Sequence, residues 1–222
     1  VLPFFLVYWI AQGDLLLKMP LLGMPIESTV LGIMAILAVP ALPLWSWAAH
    51  RFGKRPAYLA AIAFWALILL SLLFVPPMKL GLAMVIAVLM SLSYSAAHML
   101  PESIFPDVID WDELRTGERH EGIYYGAKNF IRKLTTAFAL FLTLQVLGWL
   151  GYQKPPDGAI VFTQPDAVIT GIRVLVSPVA SVLLIALMVV TWFYPLDRRR
   201  YERVRRLLAR RQRRDALRRA SA

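Results

Sequence analysis

The sequence contains no cysteine, which excludes disulfides and thiolate-held metals. It is also poor in charge. Asp, Glu, Lys and Arg make up 17% of it, where soluble domains average about 25%. An initiator Met and a basic, signal-peptide-like start are both missing. Alternation of apolar and polar residues is missing too, which argues against the strands of a membrane barrel. What is present is apolar: 59% of the residues, in continuous runs. Several runs reach the roughly 20 residues that a helix needs to cross a bilayer. Helices also satisfy their own backbone in lipid. The net charge of +10 does not point to nucleic acid, because half of the Lys and Arg residues lie after Pro195.

In chain order, residues 1–11 are apolar but too short to span, and are read as the outer end of a truncated helix. A connector with Asp14, Lys18, Pro20, Gly23 and Pro25 follows. Spans are expected over 28–49, 56–75, 80–100, 123–147 and 168–194. Pro40 and Pro43 should kink the first of these, and Trp45 and Trp47 suit an interfacial belt. The whole of 1–196 is read as one transmembrane bundle, with 197–222 as a basic tail. Arg51, Lys54, Arg55, Arg115, Arg119 and the tail fall on one side, and Lys18, Lys79 and Lys154 on the other. The positive-inside rule makes the first side cytoplasmic. The expectation is therefore a multi-pass protein of the cell (inner) membrane with a cytoplasmic C-terminus. In the tail, Tyr201, Val204, Leu207 and Leu208 fall at helical spacing. That spacing fits a helix lying on anionic lipid, and a solvated tail that only fixes topology fits equally.

Between the third and fourth complete spans lies the longest strongly polar stretch, residues 106–122, read as an acidic loop. Asp107 and Asp110 would share a helical face. Asp112 and Glu113 extend the cluster, and Arg115 and Arg119 can pair with it, as a latch or as ordinary solvated charge. The next span carries three cations, Lys128, Arg132 and Lys133. Lys133 lies about ten residues in, near mid-bilayer, where a charge costs about 2.5–3.5 kcal/mol on insertion scales and needs a cavity or a counter-charge. Asn129, Lys133 and Thr136 share one face. Lys128 and Arg132 read more simply as anchors. His98 and Glu102, four apart, would form a titratable pair if Pro101 leaves the helix unbroken; an interfacial His and a loop-edge Glu is the plainer reading.

The segment Pro106-Asp107-Val108-Ile109-Asp110-Trp111-Asp112-Glu113, then Thr116-Gly117-Glu118-Arg119-His120-Glu121-Gly122, Tyr125-Gly126 and Lys133, resembles the signature of the glycoside–pentoside–hexuronide:cation symporters. This is the melibiose-carrier branch of the major facilitator superfamily. Gly53-Lys54-Arg55, Gly151-Tyr152 and Gly171-Ile172-Arg173 also match its pattern. The resemblance implies an all-α fold: the C-terminal six-helix half of a twelve-helix carrier, with its first helix truncated. It implies a sugar or related solute bound between the two halves, with alternating access by rocking. It implies a coupling role for Lys133 beside the solute and cation sites. It implies a gating or latch role for Asp107, Asp110 and Arg119, to which Glu113 and Arg115 belong by position. A sugar-stacking aromatic of the melibiose carrier falls near His98. No cofactor is implied. A coupling cation, Na⁺ or H⁺, would be held mainly by the missing N-terminal half.

A lysolipid or other amphiphile carrier of the same superfamily is the nearest alternative. A polytopic enzyme binding Mg²⁺-diphosphate through Asp107 and Asp110 is a more distant one. It would need a second acidic motif, and the 50–55 loop is purely basic.

Overall fold

The computed structural model describes residues 1–18 and 23–193, together with the separate positions 204, 206, 207 and 210. The described residues are helical, with two isolated β-bridges and no extended strand. Helix α1 (Leu2–Phe5) runs directly into a π-turn (Leu6–Ile10). Then follow α2 (Ile26–Phe52), α3 (Lys54–Ser71, prolonged by a 3₁₀ turn Leu72–Phe74), α4 (Leu80–Thr116) and α5 (Glu121–Trp149). The last crossing is α6 (Asp166–Val174), a π-turn (Leu175–Val179) and α7 (Ala180–Trp192). Five crossings are long and apolar enough to span a membrane. Four of them begin and end within three residues of the expected spans, whereas the third, Leu80–Thr116, runs sixteen residues past its expected end at 100.

The acidic stretch differs from expectation. It is not a loop: α4 continues through Pro101 and Pro106 and ends at Thr116. Its 37 residues reach about 55 Å, well beyond a hydrocarbon core of about 30 Å. Gly117, at φ 88, stops it, with its N–H on the Glu113 carbonyl at 2.9 Å. A left-handed residue at this position closes a helix, and glycine takes it without a Cβ penalty.

The core is built mainly by α2, α3 and α4 with the α6–α7 crossing. Phe5, Ile10, Ile26, Met90, Val168 and Ile172 meet in its larger cluster. A smaller cluster of Ala57 and Ala61 of α3, Ala96 and Leu100 of α4, with Ala48 and Ala49 of α2 packed against them, lets three helices approach closely, as small residues do in membrane bundles. Polar side chains bridge between helices. Ser177 donates to the Leu69 carbonyl at 2.6 Å, and Ser181 to that of Ala66 at 3.3 Å. Trp45 donates its indole N–H to the Leu92 carbonyl at 2.8 Å. Trp45 is therefore a strut between α2 and α4, and Trp47 stays exposed.

Two ends can be distinguished. At the basic end Lys54 and Arg55 open α3, α4 finishes and α5 begins. The far end is tied by backbone. Leu15 N–H donates to Ile160 O, Phe162 N–H to Gly13 O, and Met78 N–H to Ile10 O. Gly13 is at φ 83, and a Cβ there would lie 2.4 Å from the Phe162 carbonyl oxygen, so no side chain fits. Tyr8 and Tyr152 share a hydroxyl hydrogen bond of 3.1 Å at this end. Burial, and then that bond, push the Tyr152 phenol above its ordinary pKa.

Helix α5 stands apart. Among its 29 residues only Leu147 is buried. It is held at its two ends and exposed along the middle.

Of the expected amphipathic stretch in the tail, Tyr201 and Leu208 lie outside the described residues. Val204 is buried and Leu207 exposed.

Candidate functional site

Three groups of candidate residues can be located. The first is at the basic end. Lys54 Nζ lies 2.8 Å from both carboxylate oxygens of Asp107 and 2.5 Å from the Ser103 carbonyl oxygen. The helical continuation of α4 makes this possible, because it carries Asp107 back across the first turn of α3. Asp107 is nearly buried, with its side chain 7% exposed, whereas Lys54 is 34% exposed. A turn further on, Arg119 gathers three carboxylates: Asp110 at 3.0 Å, Glu113 at 2.8 Å and Glu121 at 3.0 Å. Its hydrogen bonds to Glu113, then Glu121 and Asp110, hold its pKa above the ordinary arginine value. Glu113 and Asp110 belong to α4 and Glu121 opens α5, so one guanidinium joins two helices. Arg115, expected in the same cluster, is exposed and makes no ion pair among the described residues.

The second group sits where α4 meets α5. Sequence spacing paired His98 with Glu102. The structure pairs Glu102 with Lys128 of α5 at 2.5 Å. Lys128 also lies over the Phe105 and Tyr125 rings, at 4.6 and 5.3 Å from their centroids. A full positive charge with two aromatic faces beside it outcompetes an i+4 histidine for the carboxylate. His98 instead stands edge-on to Tyr94, with ring centroids 4.4 Å apart. That pair forms one side of a groove of about 280 Å³ between α2 and α4. Ser95 lies beside them, and Ala35, Ala38, Val39 and Leu42 of α2 form the other side. The groove thus has one aromatic, hydrogen-bonding wall and one aliphatic wall.

The third group is the middle of α5. Thr136 Oγ1 donates to the Arg132 carbonyl at 2.8 Å, and Arg132 donates to Asn129 Oδ1 at 3.3 Å. Lys133, one residue on, is exposed and has no hydrogen bond or ion pair among the described residues. The three residues expected on one face are therefore present, but the structure does not bring them onto His98 or onto each other.

Sequence reading missed Tyr94, Glu102 as the partner of Lys128, and Lys54 as the partner of Asp107. Tyr94 was recoverable, since it lies four residues before His98 on the same helical face. The other two contacts span 26 and 53 positions, and no local spacing encodes them. Among the described residues no group of His, Asp and Glu gathers to hold a metal ion.

A bundle of apolar crossings, with charge networks at one end and cations on an uncovered helix, defines a multi-pass α-helical membrane protein. The comparisons narrow this. The family described as MFS/sugar transport protein matches residues 26–198, and the chain belongs to this family of the major facilitator superfamily. An uncharacterized symporter of Synechocystis is 27% identical over 96% of this chain, which covers 37% of that relative. The sodium-dependent lysophosphatidylcholine symporter 1-A of Danio rerio is 31% identical over 79% of the chain, covering 32% of it. A sphingosine-1-phosphate transporter of Xenopus tropicalis is 30% identical over 77%, again covering 32% of the relative. The chain spans about a third of the length of the curated relatives it matches.

Proposed function

We propose that this chain is the C-terminal part of a cation-coupled secondary transporter whose solute is an amphiphile with a polar head and an apolar tail. The observation that carries this is the two-walled groove between α2 and α4. An acyl chain fits the aliphatic wall, and Tyr94 and His98 offer a head group hydrogen bonds. The similarity to lysophosphatidylcholine and sphingosine-1-phosphate transporters supports the same reading. The coupling cation, Na⁺ or H⁺, is held mainly by helices outside this chain. Those helices also cover α5, where Lys133 meets the negative group of the solute or of the partner half. Asn129 and Thr136 line the same path. At the basic end Lys54–Asp107 and the Arg119 network form the latch that closes one side, which is taken to be cytoplasmic.

A sugar as solute is the second reading, supported by the family description and by the paired Tyr94 and His98 rings. The Mg²⁺-diphosphate enzyme loses its basis, because Asp107 and Asp110 are engaged by Lys54 and Arg119.

The deciding experiment is uptake into proteoliposomes containing the full-length protein. Labelled lysophosphatidylcholine and melibiose would be offered in turn, under an inward Na⁺ or H⁺ gradient. Gradient-driven movement of the lysolipid alone is expected. Accumulation of melibiose alone would establish the sugar reading, and indifference to every gradient would overturn coupled transport.

A further inference from the structure

A second cavity, of about 310 Å³, lies at the end of the bundle opposite Lys54 and Arg119. Tyr8, Trp9, Gln12, Pro77, Thr163 and Ile169 line it. Tyr8 and Trp9 belong to the first π-turn and Ile169 to α6, while Gln12, Pro77 and Thr163 lie in three different connectors.

Backbone contacts hold these connectors together. Phe162 N–H donates to Gly13 O at 2.8 Å, in the close approach that admits only glycine. Gln12 precedes that glycine and Thr163 follows that phenylalanine, so one clamp sets both residues at the cavity. Gln12 stands at φ 51, a conformation uncommon outside glycine. Met78 N–H, on Ile10 O at 3.0 Å, fixes the turn that carries Pro77. Trp9 is fixed twice. Its indole N–H donates to Val75 O at 2.8 Å, and the Arg173 guanidinium lies 3.9 Å from its ring centroid. Arg173 is itself held by the Leu73 carbonyl at 2.9 Å. The walls are thus in place before a ligand arrives, and a pre-organised site loses least on binding.

The polar groups are available. Gln12 and Thr163 are both exposed, and neither side chain has a hydrogen-bond partner among the described residues. The Gln12 carboxamide offers two donors and an acceptor, and the Thr163 hydroxyl both donates and accepts. The Tyr8 hydroxyl is engaged by Tyr152, so Tyr8 contributes chiefly its ring.

The lining carries no charge, and this selects the ligand. An anion finds no cation there, because Arg173 is turned to Leu73 and Trp9. A cation is opposed by Arg173, which already covers a face of Trp9. An uncharged molecule fits, with hydroxyls for Gln12 and Thr163 and a C–H face for the rings. The volume stands at the lower end of the roughly 300–1,000 Å³ of small-molecule sites, which suits a single ring. Water would take the share of roughly ten molecules and leave the carbon of Trp9, Pro77 and Ile169 unmatched.

We propose that this cavity binds one uncharged polyhydroxylated ring, a sugar or a cyclitol, at the end of the protein remote from the latch. Its hydroxyls bond to Gln12 and Thr163, and its C–H face rests against Trp9 and Tyr8. The site is distinct from the α2–α4 groove: His98 lies about 27 Å along α4 from Leu80, the residue nearest the Pro77 turn. Either site can fail without the other.

Saturation-transfer NMR on the full-length protein in nanodiscs tests this with two probes. One is methyl α-glucoside, and the other is sorbitol, an open-chain polyol with no ring face. The glucoside is expected to receive saturation and sorbitol much less. Thr163→Val keeps the shape and removes the hydroxyl. It should weaken glucoside binding about 2–10-fold, the equivalent of one hydrogen bond, and Gln12→Leu should do the same. Thr163→Ser keeps the hydroxyl and should bind as the wild type does. Both positions are exposed, so these variants are expected to fold. Equal signals from the two probes would mean that the aromatic wall is not read. Unchanged binding in Thr163→Val and Gln12→Leu, or a Thr163→Ser loss as large as that of Thr163→Val, would mean that the hydroxyls are not read. Unchanged binding in those variants together with loss in His98→Ala would place the sugar in the α2–α4 groove. Saturation of neither probe would mean a cavity holding only water. Each of these results overturns the proposal.

Discussion

The Lys54–Asp107 bridge makes an asymmetric prediction. Breaking a buried ion pair by removing one partner costs about 3–5 kcal/mol, chiefly because the other charge is stranded. Here burial is unequal: Asp107 is 7% exposed and Lys54 34%. Lys54→Met removes the partner that water can reach and leaves the carboxylate that it cannot. Partial solvent access on the lysine side reduces the cost to about 2–3 kcal/mol. Asp107→Asn does the reverse. The ammonium keeps the Ser103 carbonyl oxygen at 2.5 Å and turns to water, at about 1 kcal/mol. The double variant should fall below the sum of the two by about 1 kcal/mol. Reversible unfolding of the full-length protein in bicelles, followed by tryptophan fluorescence, measures all four corners of the cycle. If Asp107→Asn costs as much as Lys54→Met, or the two add to within about 0.3 kcal/mol, the burial argument is wrong.

Three further outcomes are expected. Lys133→Ala in the full-length protein should abolish gradient-driven uptake without changing the amount in the membrane; normal concentrative uptake would remove Lys133 from coupling. Arg119→Ala removes three half-exposed pairs that together contribute about 1 kcal/mol, so the ratio of inward- to outward-open forms should move about fivefold. Labelling rates of single cysteines introduced on each face report this, and unchanged rates would count against the latch. The Tyr152 phenol has its pKa raised by burial and by Tyr8. Its neutral form therefore supports the fold below the ordinary tyrosine value of about 10, and that support is lost only as pH rises through the higher folded value. Absorbance at 295 nm should show the same ionisation near pH 10 in the wild type and in Tyr152→Phe; a missing phenolate in the variant at that pH would refute this.

The crossings were legible because lipid leaves a chain few choices, and continuous apolar runs of sufficient length become helices. The acidic stretch was misread as a loop because it is the longest strongly polar break between two apolar runs, and Pro101 and Pro106 stand at its approach. Yet proline removes only a single backbone donor, and α4 passes through both. Charge patterning identified Asp107, Asp110, Glu113 and Arg119 as a group, and the structure joins the last three. Asp107 went to Lys54 because the extended α4 lies against the start of α3, a fact of packing with no sequence period. The same holds for Glu102, taken by a lysine on another helix in place of the histidine four residues away. Lys133 stood out by depth alone, and no contact among the described residues accounts for it.

The isolation of α5 bears on how the protein is made. Its mean hydropathy of 1.4 is the lowest of the five crossings, which otherwise range from 1.9 to 2.6. Arg132 and Lys133 account for much of that difference, and Lys128 adds a third cation just outside the most apolar stretch. On insertion scales a Lys or Arg near the middle of a span opposes entry by about 2.5–3.5 kcal/mol. This segment is therefore the one least able to partition into the bilayer by itself, and its own chain gives it few neighbours there. Its residence in the membrane should depend on helices already assembled when it leaves the ribosome. Errors in biogenesis should then appear first as exposure of 121–149 to protease, while the other four crossings remain protected.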